Sequence, residues 1–374
     1  MKNKLLLSSA LVGSLAITGV ASAQTTITGS LDLSYKTISN AGSITKQTDA
    51  GFGREAQINI ANKGKLSNGM DYAAGFSLEF DGKSGAPEAS TAGNTQAGIQ
   101  RLSRENMFID VISGTTTLSV GMDHLNNMSF SSAPRVAQHM GTTLASAQLN
   151  PVDADVSAGA ATGGTAYQFY PGTASLGASN YMGIGIQQVT PIGTITGQYF
   201  PKASAQQGGN DGIAKTDVKD AYELHYRGDL GVKGLTANAG YNVVNNAAAS
   251  TTQSEKQKGV AYGVGYNFGQ FAVGAQRNKT DNGNSTAATR IDTKSTELGA
   301  TFAVNKEISV GVTHVKTEGN FYHASPADEK VVSGTIGYNL GAVSLSATYA
   351  DLQDARGIAG NDSEIVLIRA GTRF

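Results

Sequence analysis

The side chains best equipped for chemistry are the histidines and carboxylates, and their spacing points away from catalysis. His124, His139, His225, His314 and His323 are too scattered for a metal-ligand pattern. The chain has no cysteine to assist them, so thiolate metal sites and disulfide frameworks are both excluded. It also has no nucleophile elbow of the G-x-S-x-G kind. Arg227-Gly228-Asp229 spells a cell-adhesion tripeptide, but the strand pattern puts it on a tight turn, at the rim away from the long loops. Asp281-Asn282-Gly283-Asn284 lacks the spacing of an EF-hand loop and reads as a turn. The expectation is no enzyme, no metal and no cofactor. The charged groups must then act through where they are held.

Holding them begins with export. Lys2 and Lys4 form a basic start, residues 5–20 are an apolar run, and Ala21-Ser22-Ala23 supplies an A-x-A cleavage site. This is the layout of a secretory signal peptide, assigned to 1–23, with 24–374 as the mature chain. The apolar run is short for a bilayer-spanning helix, and no stop-transfer flank follows it. Without Lys2 and Lys4 the 28 basic residues fall to 26, against 29 acidic ones. That balance excludes a nucleic-acid partner held by bulk positive charge.

Beyond residue 24 most of the chain alternates with period two. In the run 25–36, Ile27, Gly29, Leu31, Leu33 and Tyr35 share one face, and Thr28, Ser30, Asp32, Ser34 and Lys36 the other. Runs such as 54–61, 259–268, 271–277 and 308–316 repeat the pattern. Sixteen such runs are expected, with tight turns after the even ones and polar connections of a dozen or more residues after the odd ones. An even count with short turns at one rim and long loops at the other indicates an all-β fold, a transmembrane antiparallel β-barrel. The apolar face would meet lipid, and the Gly, Ser, Thr and Asn residues of the other face would meet water in the lumen. Tyr35, Phe80, Tyr199, Phe200, Phe268, Phe271, Tyr338, Tyr349 and Phe374 fall near strand ends, as two aromatic girdles would require.

One stretch breaks the rhythm. Residues 123–178 form a 56-residue insert with Pro134, Pro151, Pro171 and a small-residue run at 157–164. Ordinary loops are far shorter. Free in water, this segment has too little apolar surface to order itself. It is expected to fold into the lumen and narrow it.

These features resemble the Gram-negative general porin family. The matching residues are Thr26-Ile27-Thr28-Gly29-Ser30-Leu31-Asp32, the run Gly114-Thr115-Thr116-Thr117-Leu118-Ser119-Val120-Gly121 before the long third loop, and the closing Arg373-Phe374. The resemblance implies a homotrimer of sixteen-stranded barrels in the outer membrane, set in its lipid and exported through the periplasm. It implies passive diffusion of ions and small hydrophilic solutes past a constriction loop at about 123–178. It also makes Phe374 part of the signal read by the outer-membrane barrel assembly machinery.

In that family, acidic groups on the loop face basic groups on the wall, and the transverse field sorts solutes by charge. Carried onto this chain, the loop acids would be Asp153 and Asp155, and the wall bases Lys36, Arg54, Arg101 and Arg104. Asp123 would stand at the loop root. Asp32, Glu55, Glu79, Glu223 and Glu297 are expected to line the lumen. Two departures leave the charge pattern open: Met122 stands where the family often has a base, and the acidic Pro-Glu-Phe motif is missing. Two other readings stay in view. A solute-specific channel would need an aromatic track or a strong charge cluster lining the pore, and the insert's aromatics are only Phe130, Tyr167, Phe169 and Tyr170. A non-conducting barrel serving as adhesin or structural anchor would need bulky side chains filling the lumen.

Overall fold

Period-two alternation over sixteen runs produces one closed sheet. The computed structural model describes residues 23–39, 50–81, 102–122, 182–201, 218–246, 256–281, 291–321, 327–354, 359–360 and 362–374. The strands are β1 (Gln24–Ser39), β2 (Ala50–Lys65), β3 (Asp71–Asp81), β4 (Leu102–Ser113), β5 (Thr116–Met122), β6 (Met182–Thr190), β7 (Gly193–Pro201) and β8 (Val218–Gly228). They continue as β9 (Leu235–Asn246), β10 (Lys256–Phe268), β11 (Phe271–Asp281), β12 (Ile291–Ala303), β13 (Ile308–Phe321), β14 (Glu329–Asn339), β15 (Val343–Gln353) and β16 (Ser363–Arg373). Each pairs antiparallel with its sequence neighbours, and β1 closes the barrel against β16. No helix among the described residues is long and apolar enough to cross a membrane.

The connections sort by length as expected. Those after even strands have two to six residues, and those after odd strands have seven to fifty-nine. Two of the two-residue turns, Gly114-Thr115 and Gly269-Gln270, start with a glycine at φ 59° and 69°. That positive φ matches the twist of the flanking strands and is open to glycine at no steric penalty. The long connections are shorter than a dozen residues in several places, because the strands outrun the sequence pattern. β11 and β13 continue to Asp281 and Phe321, well past 277 and 316. There the outward positions turn polar (Lys279, Asp281, Glu318), so alternation fades while the hydrogen-bonded ladder goes on.

Burial is inverted relative to a water-soluble protein. Outward Ile27, Ile109, Val312 and Ile184 are 57–63% exposed, whereas inward Glu297, Gln276, Ser295 and Asn242 are at 0–2%. An apolar exterior is stable only against lipid, and a closed ladder satisfies every backbone group without water.

The two chain ends meet at the seam. The Gly29 amide donates to the Phe374 carbonyl at 2.7 Å, and the Phe374 amide returns the bond to Gly29 at 3.0 Å. The Phe374 ring lies over Gly29, in the space where a Cβ would otherwise project. A column of rings continues the girdle at the tight-turn rim: Tyr266 on Phe268 at 6.0 Å, Phe268 on Phe271 at 5.7 Å and Phe271 on Phe302 at 4.7 Å. Phe200 departs from the girdle expectation. It faces inward at 0% exposure, next to the outward Tyr199, because one residue along a strand reverses the face.

The inner wall as candidate functional site

The inner wall is built from every second residue of each strand. Its centre at the seam is an ion pair that sequence reasoning did not pick out. Arg369 of β16 grips Asp32 of β1 through Nη2–Oδ2 at 2.9 Å and Nε–Oδ1 at 3.4 Å, with side chains 2% and 1% exposed. A two-point guanidinium–carboxylate contact fixes orientation as well as distance. Arg369 was hidden because both faces of β16 carry aliphatic residues, so alternation could not assign them.

From β9 to β15 the wall carries a mesh of short polar side chains. Ser295 and Thr317 hydroxyls meet at 3.1 Å and Thr335 and Thr348 at 2.9 Å, while Asn238 donates to Gln276 at 3.3 Å and Gln276 to Asn278 at 3.0 Å. Two apolar patches interrupt it. On β13–β16, Val315, Val331, Leu352, Ile365 and Leu367 are 0–3% exposed, with Val315 opposite Val331 and Val331 opposite Leu352. On β7–β9, Phe200, Ala221 and Val244 are 0–1% exposed and stand opposite one another in register. The expectation of inward side chains open to water is not met at these levels.

Charge on the wall is unevenly spread. Asp110, Glu223 and Glu297 face inward at 7%, 3% and 0% exposure. Glu223 stands opposite Gln198 and Asn242, and Glu297 opposite Gln276 and Val315. The bases Lys63, Arg227 and Arg373 occupy inward register positions at the tight-turn rim, where they are exposed. Asp110 was missed for the same reason as Arg369. In addition, β4 carries a bulge against β3, where Asn106 adopts φ 49° and donates Nδ2 to Ser77 Oγ at 2.9 Å. Such an insertion shifts the period and cannot be counted through.

The sequence-predicted residues divide into three groups. Asp32, Glu223 and Glu297 line the wall, and Glu55 and Glu79 occupy inward register positions opposite Asp32 and Gln57. Lys36 stands opposite the inward Leu367. Arg54 and Arg104 stand opposite Leu33 and Leu78 in register. Arg101, Asp123, Asp153 and Asp155 lie outside the described residues. His225 holds an inward position opposite Thr196, and His314 an outward one opposite Leu298. Among the described residues no three His, Asp or Glu side chains are grouped to hold a metal ion.

Known proteins share this architecture. The profile of the Gram-negative porins matches residues 8–357. No curated protein sequence matches the chain. Among solved structures, the anion-selective porin from Comamonas acidovorans is similar with a TM-score of 0.61 at 14% identity, covering 94% of this chain and 100% of that one. A loop L8 deletion mutant of OmpT, an outer membrane protein of Vibrio cholerae, gives 0.57 at 13% identity over 94% and 99% of the two chains. A triple mutant of the Rhodopseudomonas blastica porin gives 0.54 at 12% identity over 94% and 100%. At these identities the structural likeness is one of fold.

Proposed function

The chain belongs to the Gram-negative porin family, whose members are outer-membrane channels for passive diffusion of solutes, and we propose that its own channel is narrowed by residues 123–178 and prefers cations. The observation that carries the narrowing is the buried inner wall. Valines, leucines and isoleucines facing the open lumen of a sixteen-stranded barrel would contact water, yet Val315, Val331 and Leu367 are at 0–1% exposure. Covering them takes chain from inside the barrel, and the 59 residues between Met122 and Met182 are the longest stretch free to supply it. The cation preference rests on Asp110, Glu223 and Glu297 on the wall, where Arg369 is already matched by Asp32 and the inward bases Lys63, Arg227 and Arg373 stand at the rim. Fixed carboxylates along a narrow path attract cations and repel anions. The Comamonas porin is described as anion-selective, so the shared fold leaves selectivity to the side chains.

In this reading Asp153 and Asp155 add acids from the insert, Lys36 and Arg101 stand as the opposing bases, and Asp123 anchors the loop root. The molecule works as a homotrimer, carries out no catalysis, loses residues 1–23 on export, and presents Phe374 to the barrel assembly machinery. Outer-membrane lipid surrounds it, and the cargo is ions and small hydrophilic solutes. The test is single-channel recording of refolded protein in a planar bilayer with a potassium chloride gradient. Steps closing in thirds and a reversal potential of cation-selective sign are expected, and deleting 140–165 should raise conductance. An unchanged conductance after the deletion sinks the constriction, and an anion-selective sign sinks the charge argument.

A further inference from the structure

The sheet closes unevenly at the tight-turn rim. β1 starts at Gln24, but its pairing with β16 reaches only to Ser30–Arg373 and the backbone bonds between Gly29 and Phe374. Residues 24–28 are paired with β2 on one side, from Gln24 opposite Lys63 to Thr28 opposite Asn59. Among the described residues no backbone hydrogen bond reaches their other side. At about 3.3 Å per residue, this leaves roughly 17 Å of open strand edge. Burial changes at the same point: 24–28 are all exposed, with Ile27 at 63%, whereas Gly29 and Ser30 are buried. β1 and β16 are the first and last strands, so no turn joins them across this gap. Barrels of this kind keep their short turns on the periplasmic side, so the edge faces the periplasm.

An open edge is a template for another strand, and edges that stay single usually carry a proline, a charge or a bulge. Gln24-Thr25-Thr26-Ile27-Thr28 has none of these, and its β-branched residues favour a strand. Antiparallel bonding alternates along a strand. Because Gly29 exchanges bonds with Phe374, Ile27 and Thr25 are the residues whose N–H and C=O turn toward the open side. A strand added there, antiparallel to β1, would lie in line with β16 and lengthen the seam already formed. Its second and fourth residues would face Ile27 and Thr25 on the outer side. Its first, third and fifth would share the inner side with Arg373 and Lys63, both exposed. The nearby Lys65 is already held by Asp71 at 2.7 Å. Removal of residues 1–23, the reading on which this inference rests, adds the α-ammonium of Gln24. The gap is therefore basic on its inner side and apolar at Ile27 on its outer side.

We propose that this edge takes up an extended acidic segment of a periplasmic protein by strand addition. The main-chain groups of Ile27 and Thr25 supply the affinity, and alternating side chains supply the selection, acidic toward Arg373 and Lys63 and apolar toward Ile27. The β1 edge of a second copy cannot take this place. In one membrane both β1 strands run away from the periplasm, so no antiparallel ladder forms between them.

The test uses the refolded 24–374 barrel in detergent and the capped, dye-labelled peptide Glu-Val-Thr-Val-Glu, read by fluorescence anisotropy. The peptide should bind, and Lys-Val-Thr-Val-Lys should bind about tenfold more weakly. Methylating both valine nitrogens should abolish binding, because those N–H groups meet β1, whereas methylating the threonine nitrogen should not. Thr25→Pro removes one edge N–H and leaves the ladder to β2 intact; it should weaken binding about tenfold. Lys63→Gln with Arg373→Gln should erase the preference for the glutamate peptide. The chain has no cysteine, so Thr26→Cys should form a disulfide with a peptide bearing cysteine at its centre, and not with one bearing it first. Undiminished binding of the valine-methylated peptide or by Thr25→Pro overturns the proposal. So does equal affinity for the two peptides, or equal cross-linking at both positions. Intact mass of barrel isolated from outer membranes tests cleavage separately: a mass that still includes 1–23 sinks that reading and not the edge measured on 24–374. Heat-resistant migration of every variant on gels shows that the barrels compared are folded.

Discussion

Asp32→Asn should destabilise the barrel strongly, while replacing both Asp32 and Arg369 should not. The two side chains join the first and last strands, are 1% and 2% exposed, and touch at 2.9 and 3.4 Å. Turning the carboxylate into an amide keeps the shape but leaves the guanidinium without this counter-charge in a buried site. Breaking one partner of such a pair lowers stability by about 3–5 kcal/mol. The pair taken as a whole contributes much less, because desolvating both ions offsets most of their attraction. Asp32→Leu with Arg369→Met should therefore lie near the wild type, or above it by about 1–4 kcal/mol. The chain has no tryptophan, so urea unfolding in phospholipid vesicles is best followed by far-UV circular dichroism and gel mobility. A single Asn variant within about 0.5 kcal/mol of the wild type would refute the reasoning. So would a double variant that loses as much as the two single changes added together, since contacting residues should couple.

Three further outcomes follow from the geometry. A side chain at Gly29 would overlap the Phe374 ring and sit 2.9 Å from the Gln57 carbonyl; Gly29→Val should lose about 1–3 kcal/mol. Phe374→Ala should restore part of that loss, and a deeper loss in the double variant would count against the seam packing. Val312 is 60% exposed on the lipid face, so Val312→Arg should lose about 2–4 kcal/mol in vesicle unfolding, whereas Val312→Leu should change little. Phe271→Ala removes a ring between neighbours at 5.7 and 4.7 Å, and a loss of about 0.5–1.5 kcal/mol beyond its buried area is expected. No change there would show that the ring column is incidental.

Local pattern alone determined the strand count, the order of the strands, the sorting of loop lengths and the face of most residues. A period of two and a glycine at a turn are properties of a few consecutive residues. Asp32, Glu223 and Glu297 were legible as inward groups because each lies in a run with one clearly apolar face. Three things required the closed sheet. Arg369 meets Asp32 across 337 positions of chain, a contact no local pattern contains. The strands run on past the apolar outward residues because the hydrogen-bonded ladder continues after alternation fades. The cross-strand partners of Arg54 and Arg104, Leu33 and Leu78, come from the pairing of separate strands. Even the inward apolar patches read in sequence as ordinary strand residues. Only closure turns them toward the lumen, where their burial becomes evidence about what the channel holds.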